Sequence, residues 1–203
     1  MEKFGRLAGD KVIEKTISSL KANGMDAFVV ESRREAKEKV LSILPNGTEV
    51  MTMSSTTLDA IGLSKEINES GRFTPIRKKL MSMDRKTQGR EMQKLGAAPE
   101  WTIGSAHAVT QDGKVMIASN SGSQLPAYAY GADKVIWIVG TQKVVKDIEE
   151  GMERIYKYTL PLENERAKKA YGFPSFVSKM LIVNREIRPG RITIIFVKEK
   201  LGF

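Results

Sequence analysis

Apolar residues recur along this chain with two alternating periods. Val12, Ile13, Ile17 and Leu20 follow helical spacing within residues 3–22, and Asn23-Gly24 stops the pattern. Ala27-Phe28-Val29-Val30 then predicts a short strand. Ser32, with Glu35 three residues on, predicts a capping box. The helix it opens carries Ala36, Val40 and Leu44 on one face and ends at Pro45. Asn46-Gly47 predicts a turn, and Thr48 to Met53 a strand. After Ser54-Ser55-Thr56-Thr57, the spacing of Ala60, Leu63 and Ile67 predicts a helix closed by Ser70-Gly71. Residues 75–95 predict a basic helical stretch that Gly96 and Pro99 end.

Beyond that point the pattern favours strands. Residues 103–119 read as a hairpin, with Asp112-Gly113 as a two-residue turn. That turn pairs Gln111 with Lys114, Val109 with Met116, His107 with Ala118 and Ser105 with Asn120. Val135 to Val139 is continuously apolar, the mark of a strand buried on both faces. Val145, Ile148, Met152 and Ile155 predict a helix, residues 163–171 another, and Met180 to Val183 and Ile192 to Val197 two further strands. The alternation predicts an α/β fold: a single domain over residues 1–203 with a mostly parallel central sheet flanked by helices. Residues 1–24 form its N-terminal helical segment and 72–95 a basic helical insertion.

Composition changes the picture by exclusion. With no cysteine there is no disulfide, no thiol nucleophile and no iron–sulfur cluster held by this chain alone. His107 is the single histidine, so a site with two histidine ligands is impossible; carboxylate sites for magnesium or calcium stay open, and no metal ligand is assigned. No apolar run is long enough to span a membrane, and the charged N-terminus lacks the apolar core of a secretory signal; the expected location is cytoplasmic. The formal net charge is +9. Arg72 to Lys94 holds eight basic residues against two acidic ones, a surplus of six. Such a segment attracts anionic partners, although a solvated helix face accounts for it as well. Without interleaved aromatic residues it argues against nucleic acid. Glycine-rich dinucleotide and P-loop signatures, the serine-hydrolase elbow and the zincin motif are all absent.

Four groups of residues carry candidate chemistry. Ser54, Ser55, Thr56 and Thr57 follow a strand and open a helix, where unpaired amides and rotatable hydroxyls suit an anion; a plain cap built on Thr56 and Asp59 explains the same residues. Ser119, Asn120, Ser121, Gly122 and Ser123 form a second hydroxyl-rich loop after a strand, or an ordinary turn. His107 lies beside Ser105 and near Asn120 in the predicted hairpin and is a candidate general acid or base. Glu163-Asn164-Glu165-Arg166 follows Pro161 and precedes Tyr171-Gly172-Phe173-Pro174-Ser175, a candidate aromatic lid or packed turn. Its two carboxylates serve a ligand, a metal ion or simply a helix start.

Several blocks together resemble the LUD-domain family of lactate-utilisation proteins. They are Gly104 to Thr110 (GSAHAVT), Ala118 to Pro126 (ASNSGSQLP), Val135 to Gln142 (VIWIVGTQ), Ser54 to Leu63 (SSTTLDAIGL), and a tail running from Pro161-Leu162-Glu163 through Arg166-Ala167 and Tyr171-Gly172 to Leu201-Gly202-Phe203. The resemblance covers nearly the whole chain. It implies a fold similar to the sugar-phosphate isomerase, glucosamine-phosphate deaminase and coenzyme A transferase superfamily, whose members bind phosphorylated or acyl substrates at strand ends. It also implies work with iron–sulfur partner subunits in oxidising L-lactate to pyruvate. It supplies no settled catalytic residue.

Three functional expectations follow. The first is a LUD-type protein that binds a small anionic metabolite, a carboxylate or phosphate ester, through Ser54 to Thr57 and Ser119 to Ser123. It would act with iron–sulfur oxidoreductase subunits, and any cluster would sit on those partners. The second is a stand-alone sugar-phosphate isomerase or coenzyme A transferase-like enzyme with His107, Asp59 and Glu163 as its nominated catalytic groups. The third is a non-enzymatic basic interaction module. A homo-oligomer is compatible with each.

Overall fold

The computed structural model describes residues 2–203. A six-stranded sheet forms its centre in the order β1-β10-β7-β4-β2-β3, with every neighbouring pair parallel. These strands are β1 (Asp26–Val30), β2 (Glu49–Thr52), β3 (Thr74–Pro75), β4 (Trp101–Gly104), β7 (Lys134–Gly140) and β10 (Ile192–Val197). A second, mixed sheet has the order β8-β5-β6-β9, from β5 (Ala108–Thr110), β6 (Val115–Ser119), β8 (Val144–Val145) and β9 (Lys179–Val183). The fold is thus the α/β class with a parallel central sheet that the alternating pattern predicts.

Side-chain alternation on β7 and β10 builds two cores at once. Val135, Trp137, Val139, Ile192, Ile194 and Phe196 face the second sheet, meeting Val109, Val115 and Ile117. Ile136, Ile138, Ile195 and Val197 face the opposite way, onto Ala36 and Val40 of α2 (Arg33–Ile43), Leu58 of α3 (Thr56–Ala60) and Leu63 and Ile67 of α4 (Leu63–Glu69). This explains the unbroken apolar run at 135–139: both faces are covered. The outer face of the small sheet, at Ala108, Met116 and Val145, packs on Ile155 and Ile148. The result is four layers: helices, large sheet, small sheet, helices.

Local signals shape the elements. The predicted capping box forms at Ser32, whose hydroxyl accepts from the Glu35 amide. α1 (Asp10–Ala22) begins later than the pattern suggested, with Gly9 as its cap. The helix predicted after Thr57 is two, α3 and α4, because Gly62 between them sits at φ +68. The basic stretch is also two helices, α5 (Ile76–Ser82) and α6 (Arg85–Ala97), the latter opened by the Asp84 cap. Val145 belongs to β8, and α7 (Ile148–Arg154) starts after it at the Asp147 cap.

The largest departures from expectation concern the hairpin and the last helix. Ile103 lies in the central sheet, so only β5 and β6 form the hairpin, and their register pairs Ala108 with Met116 and Val109 with Val115. This is one residue off the predicted pairing. The reason is a three-residue loop: the Gly113 amide donates to the Thr110 carbonyl, Gly113 adopts φ +83, and the Thr110 amide donates to the Lys114 carbonyl. Asn23 at the end of α1 fixes that loop by donating from Nδ2 to the carbonyls of Asp112 and Gly113. Downstream, α8 (Leu160–Tyr171) does not begin after Pro161. It continues from α7 through a π-helical turn at Ile155–Thr159. The wider turn accommodates a proline that has no amide hydrogen and crowds the carbonyl four residues back.

Candidate functional site

Three adjacent parallel strands, β7, β4 and β2, deliver their carboxyl ends to one cavity of about 470 Å³. Open α/β sheets place ligands at this edge. Ser54 to Thr57 follow β2, Ser105 to His107 follow β4, and Lys143 follows β7; all eight line the cavity. From the small sheet, Ala118, Ser119, Asn120, Ser121 and Ser123 close the facing wall, and Glu163, Arg166 and Tyr171 of α8 complete the rim.

Of the residues singled out in the sequence, Ser54, Ser55, Thr56, Thr57, Asp59, His107, Ser119, Asn120, Ser121, Ser123 and Glu163 all border this space; Gly122 does not. Gly122 instead shapes its loop. It sits at φ +85 and its amide donates to the Ser119 hydroxyl at 2.9 Å. The Ser119 hydroxyl donates in turn to Gln124 Oε1. Ser121 and Ser123 are joined through their hydroxyls and remain exposed at the mouth. On the other loop the cap is Ser55, which accepts from the Leu58 amide, rather than Thr56 with Asp59. That leaves the Thr56 hydroxyl lining the cavity.

The floor is built by residues that the hydroxyl pattern did not reveal. Lys143 is only 3% exposed, and its Nζ donates to Thr57 Oγ1 at 3.2 Å and to Ser105 Oγ at 3.1 Å. Burial, and next the charge of Arg154, lower its pKa to about 7. Arg154 is completely buried behind His107 and donates from Nη1 to the His107 carbonyl and to Thr159 Oγ1. Burial lowers it to about 10, so it stays charged at neutral pH. Among the described residues no carboxylate pairs with either group. One signal for Lys143 was available: it comes three residues after the buried strand β7. Arg154 had none, because an arginine on a helix normally reads as surface.

His107 departs from the ladder in a defined way. Its amide donates to Met116, its carbonyl accepts from Arg154, and its Nδ1 accepts from the Ala118 amide at 3.2 Å. A backbone N–H can only donate, so Nδ1 carries no proton and Nε2 does. Desolvation, with smaller contributions from Lys143 and Arg154, lowers the imidazole pKa to about 3. At neutral pH this group is an uncharged donor.

The remaining charges are held at the rim. Arg166 makes a bidentate pair with Glu163, both contacts at 2.7 Å, and lies over the Tyr171 ring. The Glu163 hydrogen bond raises the Arg166 pKa. Arg77 of α5 donates from Nη2 to Ser54 Oγ at 2.8 Å and from Nη1 to the Thr52 carbonyl. Tyr171 and Phe173 stack beside the mouth, which Tyr171 and Phe176 line, and all three are more than half exposed. Among the described residues no group of three or more His, Asp or Glu side chains gathers to hold a metal ion. No helix among them is long and apolar enough to cross a membrane.

Comparison with known proteins agrees with this architecture. The family model described as LUD domain matches residues 13–197. A crystal structure of a DUF162 family protein from Deinococcus radiodurans is similar in fold, with a TM-score of 0.58 at 13% identity, covering 95% of this chain and 99% of that one. No curated protein matches the chain.

Proposed function

We propose that this chain, which belongs to the LUD-domain family, binds a small anionic metabolite, a carboxylate or a phosphate ester, in the cavity at the ends of β2, β4 and β7. The observation that carries this reading is Arg154, a charged guanidinium buried without a carboxylate partner directly behind His107, beside a cavity floor where Lys143 meets the hydroxyls of Thr57 and Ser105. Burying charge is costly unless something compensates it. A negatively charged ligand is the missing compensation. Thr56, Ser121 and Ser123 supply hydroxyl donors, Arg77 a guanidinium, and His107 a neutral Nε2–H.

Within the family reading, the chain supports organic-acid oxidation alongside iron–sulfur subunits. A chain with no cysteine and one histidine offers no ligand set for such a cluster, so the cluster belongs to a partner. A thermal-shift screen with L-lactate, pyruvate, sugar phosphates and coenzyme A thioesters tests the binding step. A ligand at 100 times its dissociation constant stabilises by about 2.7 kcal/mol. Unchanged melting at millimolar concentrations of all four classes rejects the reading.

A further inference from the structure

We propose that Lys143 acts as a nucleophilic amine that forms an imine with the carbonyl carbon of an anionic carbonyl compound, a 2-oxo acid or a ketose phosphate, bound in this cavity. The proposal deepens the anion-site reading and rests on it.

Geometry comes first. A charged lysine has three N–H bonds to satisfy, whereas a neutral amine has two and a free lone pair. Lys143 Nζ has two hydrogen-bond acceptors among the described residues, the hydroxyls of Thr57 and Ser105. That environment fits an amine, with the lone pair left for the cavity that Lys143 lines. Arg154, close behind, opposes a second positive charge, and the lowered pKa near 7 agrees. Desolvation and a neighbouring cation are two established ways of activating a lysine for attack on a carbonyl. A permanent anion anchor would be better served by arginine, which forks onto carboxylate or phosphate and keeps its charge when buried. Arginines line this cavity at 77 and 166, and lysine stands where the strand ends.

The step balances without a cofactor. The Nζ lone pair forms a bond to the carbonyl carbon, and the π electrons pass to oxygen, which gains a proton as nitrogen loses one. The C–O bond then breaks as the nitrogen lone pair closes the C=N bond. Both amine hydrogens leave with the oxygen as water, and nothing is oxidised or reduced. His107, with its proton on Nε2, is the neutral donor on the same cavity wall for the carbonyl oxygen.

The test is reductive trapping. The full chain is incubated with pyruvate or dihydroxyacetone phosphate and cyanoborohydride, then read by intact mass and peptide mapping, with melting temperature followed in parallel. The expected result is one adduct per chain, on Lys143, forming at least roughly tenfold faster at pH 7 than on exposed lysines, whose amines are almost wholly protonated there. Excess L-lactate, which has the carboxylate but no carbonyl, should slow that labelling. Which of the two carbonyl compounds reacts tells a carboxylate from a phosphate ligand. Lys143→Arg should lose the adduct, and the wild-type peptide map alone decides the question if that variant misfolds. A melting shift without an adduct on Lys143, or labelling spread evenly over surface lysines, overturns the imine and leaves the anion site standing. No melting shift and no adduct removes both.

Discussion

Because His107 is the only histidine in the chain, its protonation is readable without assignment. Nitrogen-detected NMR should show the Nε2–H tautomer, with no titration between pH 5 and 8, since its pKa lies near 3. An imidazole that titrates near 6.5 would contradict the burial and neighbouring charge that hold its pKa down. Lys143 offers a second handle. Its folded pKa, about 7, lies below the ordinary lysine value of 10.5. Between those values the unfolded chain binds the extra proton, so stability rises with pH across that window, by up to about 1.4 kcal/mol per unit. Below pH 7 the full cost of the buried charge is present. Lys143→Met should therefore raise the melting temperature at pH 6.5, flatten the rise toward pH 10, and abolish any anion-induced shift. Denaturant unfolding from pH 6 to 10 measures the slope, and equal slopes in both proteins would place the charge elsewhere. The sequence showed the hydroxyls lining this site because Ser and Thr clusters after strands are conspicuous. It hid the two cations, because one charged residue looks like another until its burial is known.

At the scale of elements, α8 carries the test of Glu163. The stand-alone enzyme reading needs Glu163 as a catalytic group, but its carboxylate is committed to Arg166 through two hydrogen bonds. If its part is to hold and partly neutralise Arg166, Glu163→Gln should tighten anion binding by about two- to fivefold, the effect of freeing one partly buried charge. Titration calorimetry with the best ligand of the screen measures this, and weaker binding would instead favour a direct role for the carboxylate. Close packing beneath β4 gives a second expectation. A Cβ at Gly104 would overlap the Tyr128 hydroxyl, which leans across it toward the cavity, so Gly104→Ala should destabilise by about 1–3 kcal/mol in denaturant unfolding. Strand and helix identities were legible because their periods are long and regular. The hairpin register was not, since a three-residue loop with glycine third and a two-residue turn share the letters Asp112-Gly113. The fused helix was not either: proline normally reads as a boundary, and the π turn is set in a tertiary environment, with Ile155 packed under β5 and β6 and Thr159 bonded to Arg154.

Across the whole molecule, the charge that dominates the sequence and the charge that dominates the cavity are different sets. Of the basic segment only Arg77 lines the main cavity, and α6, which carries Arg85, Lys86, Arg90 and Lys94, has no buried residue. Exposed charges act at long range and are screened within about 8 Å at physiological salt, whereas buried ones are screened far less. The two sets therefore separate kinetically. Changing Lys79, Arg85, Lys86 and Lys94 together to Gln should slow association of an anionic ligand by up to about tenfold at low salt and leave its dissociation rate alone. The difference should vanish as ionic strength rises, while binding itself persists through the groups that line the cavity. Stopped-flow measurements across a salt series resolve these rates. If the four changes raise the dissociation rate instead, the basic helices touch the ligand directly, and the cavity floor is not where its charge is held.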